Sequence, residues 1–285
     1  MAYSYLVPGV TSLQPGYRCT IKPILSMIQN FLVVPDAEIS VWLDIFCDGE
    51  KIDRQEKVLS FRSGSIINDA SLFFSWPQEN HVWGDRAGYI EFGYTSVEGK
   101  PIFRTNLAAG IYAIFSRPGY KSFISDLSHK YSSPPTIQQI AIHGRYIDGY
   151  SPVLLDRVKN YGETIVLINP YRRPIIAEIR SHDGQTLPRI KILPQSAENV
   201  SLAPFLLQGQ DRWEGRIQLT ASNRLITFSL KHLLSDPSVL CDHEHLDPYR
   251  GDATHGPWFQ RLRSAIGTHL SENQLPKTIK KFLSP

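Results

Sequence analysis

The feature that most constrains this chain is a stretch that occurs twice. Residues 31–52, FLVVPDAEISVWLDIFCDGEKI, lie over residues 166–187, VLINPYRRPIIAEIRSHDGQTL, at a constant offset of 135 with no gap. Pro35 falls on Pro170, and Asp48-Gly49 falls on Asp183-Gly184. Self-similarity at a fixed offset decides architecture, because each copy is one folding unit. Asp-Gly between apolar runs marks a hairpin, since the turn needs residues that tolerate φ > 0. The match continues with small length changes. LSFRSGS (59–65) lies over ILPQSAE (192–198), and Gly88-Tyr-Ile-Glu-Phe92 over Gly215-Arg-Ile-Gln-Leu219. Upstream, Gly16-Tyr17 corresponds to Gly149-Tyr150; downstream, Asp126-Leu-Ser-His129 corresponds to Asp242-His-Glu-His245.

Within each copy the pattern is strand after strand. The first copy reads as strands near 18–24, 30–35, 39–47, 56–61, 70–75, 88–95, 101–105 and 110–116. The second reads as strands near 152–157, 163–168, 174–181, 188–193, 198–203, 214–220 and 224–230. Short strands broken by frequent turn signals, without alternating amphipathic helices, predict antiparallel sandwiches rather than a parallel sheet. The expected fold is mainly β: two tandem, internally duplicated antiparallel β-sandwich domains, immunoglobulin-like or jelly-roll-like, with a short C-terminal helix. The first repeat spans 1–135 and the second 136–240, joined at Ser132-Ser-Pro-Pro135, where prolines stiffen a linker. The polar stretch 119–130 reads as a short helix or loop between them. Residues 241–285 form a His/Asp-rich loop and a helical tail. In that tail Trp258, Phe259, Leu262, Ile266 and Leu270 recur at helical spacing, behind Pro257 in the first turn.

Composition fits this reading. A hydrophobic fraction of 42% with 20% charged residues is that of a chain with buried cores, which excludes wholesale disorder. The net charge of +3 is too small to specify nucleic acid or an anionic membrane. Cys19, Cys47 and Cys241 are an odd, widely spaced set, so no disulfide framework is expected. No apolar run is long enough to span a bilayer. The opening residues lack both a basic segment and an unbroken apolar segment, so no signal peptide and a cytoplasmic location are expected.

The densest polar chemistry lies in residues 241–256, CDHEHLDPYRGDATHG. On an extended strand residues two apart share a side, so His243 and His245 can grip one ion. Asp247 continues that side until Pro248, and His255 returns through the Arg250-Gly251 turn. Zinc or iron accepts nitrogen and carboxylate ligands of this kind. His243-x-His245-x-Asp247 resembles the opening of the metallo-β-lactamase motif, but Pro248 stands where that motif needs another histidine. His245-Leu-Asp247 resembles the H-x-D of non-haem iron oxygenases, whose last histidine comes from a later strand; His255 follows too closely and His269 falls in the predicted helix. Asp and His beside Pro-Tyr-Arg-Gly also knit irregular loops through backbone hydrogen bonds, a purely structural use.

A second cluster, Trp76 with His81, Trp83 and Asp85, places two indoles, an imidazole and a carboxylate near one end of the first sandwich, where they can stack on a sugar or plug a sheet edge. No P-loop, Rossmann fingerprint or G-x-S-x-G elbow occurs. The expectation is a non-enzymatic binding or assembly protein, with a protein or glycan partner, self-association through sheet edges, and a structural metal in the His/Asp-rich loop. The alternatives are a metal-dependent enzyme centred on His243, His245 and His255, and a carbohydrate-binding module.

Overall fold

A computed structural model describes residues 2–62, 72–78, 82–84, 86–105, 110–125, 127–129, 146–148, 152–222 and 225–246. The expected linker at 132–135 and the expected helix at 257–270 lie outside the described residues. Ten strands and a helix come first: β1 (Gly9–Leu13), β2 (Arg18–Pro23), α1 (Leu25–Phe31), β3 (Ala37–Cys47), β4 (Glu50–Phe61), β5 (Phe74–Trp76), β6 (Gly88–Ser96), β7 (Ile111–Ser116), β8 (Phe123–Ser125), β9 (Ser128–His129) and β10 (Tyr146–Asp148). Eight strands follow: β11 (Pro152–Asp156), β12 (Tyr161–Asn169), β13 (Ile175–Ser181), β14 (Ile190–Ile192), β15 (Ser196–Ser201), β16 (Arg212–Ala221), β17 (Ile226–Leu233) and β18 (Leu240–His245). The protein is therefore mainly β and of sandwich type, with antiparallel pairing throughout. Among the described residues no helix is long and apolar enough to cross a membrane.

The strands pair in an order that recurs. The first set makes a sheet β4-β3-β6-β1-β9 and a sheet β5-β2-β7-β8. The second set runs β14-β13-β16 with β10 and β11 beside β16, and β15-β12-β17-β18. Here the two layers are one continuous nine-stranded sheet. The tight turn between β11 and β12 links them, and β16 serves both: Arg212 to Arg216 pair with β11, and Ile217 to Ala221 with β13.

Period-2 alternation fills the cores. Ile39, Val41, Leu43 and Ile45 of β3 meet Ile90 and Phe92 of β6, Ile21 of β2 and Phe115 of β7. In the second set Ile175, Ala177 and Ile179 of β13 meet Ile217 and Leu219 of β16 and Leu167 of β12. A third core joins the sets. Val10, Phe46 and Tyr89 from the outer face of the first sheet pack with Val166, Ile168, Ala197, Ile226, Phe228 and Leu230. Phe46 and Tyr89 stack there at 4.8 Å.

The two hairpins differ by one residue. Asp48 and Gly49 both have positive φ (51° and 88°) and close a two-residue turn between Cys47 and Glu50. In the second set Ser181 N–H donates to Gln185 O at 2.8 Å, so His182, Asp183 and Gly184 form a three-residue turn with only Gly184 (φ 91°) left-handed. The inward face of β13 therefore lies one residue short of the sequence offset. At the constant offset Val41 would fall on Ile176, which is 43% exposed. A one-residue slip swaps the faces of a strand, so the gapless register is not the structural one.

Other expectations change as well. The strand read at 30–35 is the end of α1 and an extended exit, where Val33 N–H donates to Ile102 O at 2.9 Å. Its apolar run closes the sandwich end, with Phe31, Leu32 and Val34 packed on the first core. The strand read at 101–105 is reduced to isolated bridges from Phe103 to Tyr3 and Leu32. The stretch read as helix or loop at 119–130 holds β8 and β9, and β1 is a buried strand that the pattern did not suggest. The start of the His/Asp-rich stretch is no loop: β18 is the outer strand of its sheet, paired to β17.

Candidate functional site

The site grows from the two faces of β18. Alternation sends His243 and His245 to one side and Asp242 and Glu244 to the other. Asp242 and Glu244 both reach Lys231 Nζ on the neighbouring strand β17, Asp242 at 3.2 Å. This is a partly solvated cross-strand ion pair of modest worth.

The histidine face turns towards the first set of strands. His243 is 1% exposed, and its ring stacks on Phe115 at 4.8 Å and meets Phe228 at 4.5 Å. His245 meets the edge of the same Phe228 at 5.9 Å. Both nitrogens of His243 are engaged. Nε2 lies 2.6 Å from Ser12 Oγ, and Nδ1 lies against Ser125 Oγ. Ser125 Oγ also donates to the carbonyl of His243 at 2.8 Å, so it has no proton left for the ring and must accept from Nδ1–H. Nε2 is then the acceptor, taking the Ser12 hydroxyl proton. Ser12 Oγ in turn accepts from Gln14 Nε2 at 2.9 Å, and Gln14 Oε1 accepts from Asn199 Nδ2 at 2.9 Å. One direction of donation satisfies every group from Asn199 to the His243 carbonyl, and the network assigns the Nδ1–H tautomer.

A neutral imidazole fits this chain and an imidazolium does not. Burial pushes the His243 pKa down to about 3, against upward pulls from its backbone and Asp242. Further bonds cross the same seam. Leu240 N–H donates to Tyr17 OH at 2.8 Å, and Arg117 Nη1 donates to Ser238 O at 2.6 Å.

A second buried polar group sits inside the second set. Glu163 on β12 is 1% exposed and accepts from Ser229 Oγ at 2.5 Å. Burial raises its pKa, opposed by the Ser229 bond and by the charge of Lys231, its cross-strand neighbour. Tyr161 nearby is pushed up to about 12 by burial and the Glu163 charge.

Of the residues expected to hold a metal, His243 and His245 share a strand face as the spacing required, while Asp247 and His255 lie outside the described residues. Among the described residues no three His, Cys, Asp or Glu side chains come together as a metal set. His243 offers no free lone pair while both serines hold its ring. Of the expected ligand-binding cluster, Trp76 and Trp83 come together with ring centroids 5.9 Å apart and tilted by 52°. Both pack on the first core, and the Trp83 indole donates to Arg86 O. His81 and Asp85 lie outside the described residues. Sequence reasoning missed Ser12, Gln14, Ser125 and Asn199. The signal available for the first two was Val10-Thr-Ser12-Leu-Gln14, polar groups two apart on one face of a short apolar run.

The fold and the seam define a mainly β, sandwich-type protein whose two strand sets are locked together through a neutral histidine. Comparison with protein-family models, with curated proteins and with solved structures gives no match.

Proposed function

We propose that the chain is a non-enzymatic binding or assembly protein, made of two copies of one sandwich unit clasped into a single body. The observation that carries this reading is the His243 network. The fully buried imidazole of His243 uses both nitrogens to join the two strand sets, through Ser12 and Ser125 on one side and its own strand on the other. A catalytic or metal-binding histidine needs a nitrogen that can release its partner for a substrate or ion; this one is enclosed by Phe115 and Phe228. The matching strand orders, β4-β3-β6-β1 with β14-β13-β16-β10 and β5-β2-β7-β8 with β15-β12-β17-β18, support descent of both units from one ancestor. Recognition is a common use of such scaffolds, which is an argument from analogy.

Elemental analysis of the purified full chain tests this against the metalloenzyme alternative. The expected result is no stoichiometric transition metal, with unfolding unchanged by chelator. Stoichiometric zinc or iron that disappears in both His243→Ala and His245→Ala would overturn the reading and restore a metal centre built from His243, His245, Asp247 and His255.

A further inference from the structure

The first sheet ends on β4, a strand of 12 residues that pairs with β3 from Phe61 to Asp53 and, past a register shift that leaves Ile52 without a partner, from Lys51 to Glu50. Among the described residues nothing pairs with its other edge. A long edge strand offers a row of open backbone groups, and proteins commonly blunt such edges with charge. The charges on β4 have a particular arrangement. Its middle reads Ile52-Asp53-Arg54-Gln55-Glu56-Lys57-Val58. About Gln55 the sequence is complementary to its own reverse: Arg54 answers Glu56, Asp53 answers Lys57, and Ile52 answers Val58. Ile52 and Val58 are also exposed apolar side chains, at 42% and 56%.

We propose that β4 pairs antiparallel with β4 of a second copy of this chain, about a two-fold axis at Gln55. The proposal deepens the assembly reading by naming the partner, and rests on it.

Backbone parity supports the register. Glu38 O accepts from Val97 N–H at 3.1 Å, which sets the even residues of β3 towards β6 and leaves the odd ones to bond β4. The odd residues of β3 face Asp53, Gln55, Lys57 and Leu59. Arg54, Glu56 and Val58 therefore turn their N–H and C=O groups to the open edge, on the regular side of the register shift at Ile52. In keeping with this, Arg54 N–H is met by the Asp53 carboxylate at 2.8 Å instead of by a strand. A two-fold axis at Gln55 brings edge-facing residues opposite edge-facing residues, with Arg54 against Glu56 as hydrogen-bonded pairs on both sides of the axis.

The two faces agree with the same register. On the outer face lie Arg54, Glu56 and Val58, where the Arg54 guanidinium covers the Trp42 ring at 5.1 Å. On the inner face lie Asp53, Gln55 and Lys57, where Gln55 donates to Ser75 O at 2.9 Å. Neighbouring registers fail on charge. An axis at Arg54 sets Arg54 against itself and Lys51 against Lys57; an axis at Glu56 sets Glu56 against itself. Like charges directly opposite are destabilising. The resulting interface is isologous and closed, so it stops at a dimer.

Sedimentation equilibrium on the full chain tests this, with folding of every variant checked by circular dichroism. The expected species is a dimer in exchange with monomer. Arg54→Glu alone and Glu56→Arg alone each place like charges opposite at two symmetric positions, and each should weaken the dimer by roughly tenfold or more. The double variant Arg54→Glu/Glu56→Arg exchanges the charges and should restore it. Independently, non-hydrogen-bonded antiparallel pairs hold Cα atoms about 4.5 Å apart, within disulfide reach. In a Cys241→Ser background, Gln55→Cys should oxidise to a covalent dimer, whereas Asp53→Cys should not. A wild-type chain that is monomeric at every concentration, including one whose β4 amides are shielded by its own residues beyond 246, overturns the pairing and leaves the metal test above untouched. A dimer indifferent to both single charge reversals overturns it too, because association then uses another surface.

Discussion

A histidine held neutral inside a protein makes that protein sensitive to acid in a specific window. In the unfolded chain His243 takes a proton near its ordinary value of 6.5, while in the folded chain it resists until about 3. Between these values the unfolded state binds a proton that the native state refuses. The stabilisation is therefore complete above pH 6.5 and is lost as pH falls towards 3, at about 1.4 kcal/mol per pH unit for this group alone. Carboxylates titrate in part of the same range, so the test is a difference. His243→Gln removes the titration, and urea unfolding from pH 4 to 6.5 should show a shallower pH slope in the variant than in wild type. Equal slopes would mean that the ring is not held neutral. The partners matter as much as the ring, since a serine removed from this chain strands a buried nitrogen or carbonyl. The serines were not legible in the sequence because a Ser in a β-rich stretch reads as turn or surface. Only the tertiary contact of β1 and β8 with β18 gives Ser12 and Ser125 a single imidazole to share.

At the scale of elements, the hairpins show what a dipeptide does and does not specify. Asp-Gly announces a tight turn in both hairpins, and both glycines adopt left-handed φ. It does not specify whether the turn encloses two residues or three, and that choice moves the inward face of β13 by one position. Alternating apolar stretches such as Ile39 to Ile45 were legible because their period is set by local geometry. The helix α1 was not: it has seven residues, lacks a side-chain cap, and is held by packing of Leu25 and Ile28 on the core. Of β18 only the extended run at His243-x-His245 was legible; its place as the outer strand beside β17 was not, because its two faces meet different partners. The two turn glycines yield a graded prediction. A Cβ at Gly49 would stand 3.2 Å from Pro194 O across the seam, whereas at Gly184 nothing lies within 4 Å. Gly184→Ala should cost about 1–2 kcal/mol for left-handed strain alone. Gly49→Ala should cost more, read as the larger drop in urea midpoint; the reverse order would argue against close approach of that hairpin to the second strand set.

The whole molecule is held as one body by a core that neither strand set can complete alone. Val10, Phe46 and Tyr89 supply one side, and six residues including Phe228 supply the other. Phe228 is the centre of this arrangement, since it packs in the third core and touches both His243 and His245. Burial of this kind couples the units: unfolding either set exposes the apolar face of the other and frees the buried His243 chain. The expected consequence is one cooperative transition for the described parts of the chain. Fluorotryptophan NMR separates the reporters, with Trp42, Trp76 and Trp83 in the first set and Trp213 in the second. Their resonances should disappear together as urea rises. Phe228→Ala removes a large buried side chain from the seam, at a cost of about 3–5 kcal/mol, and combined with Ser125→Ala it also strands the His243 Nδ1–H. In that double variant the Trp213 signal should part from those of Trp42, Trp76 and Trp83, giving two midpoints where wild type has one; the fifth tryptophan, Trp258, lies outside the described residues and is not used as a reporter. If wild type already unfolds in two steps, the seam is a contact between independent units and the His243 network does not bind them into one.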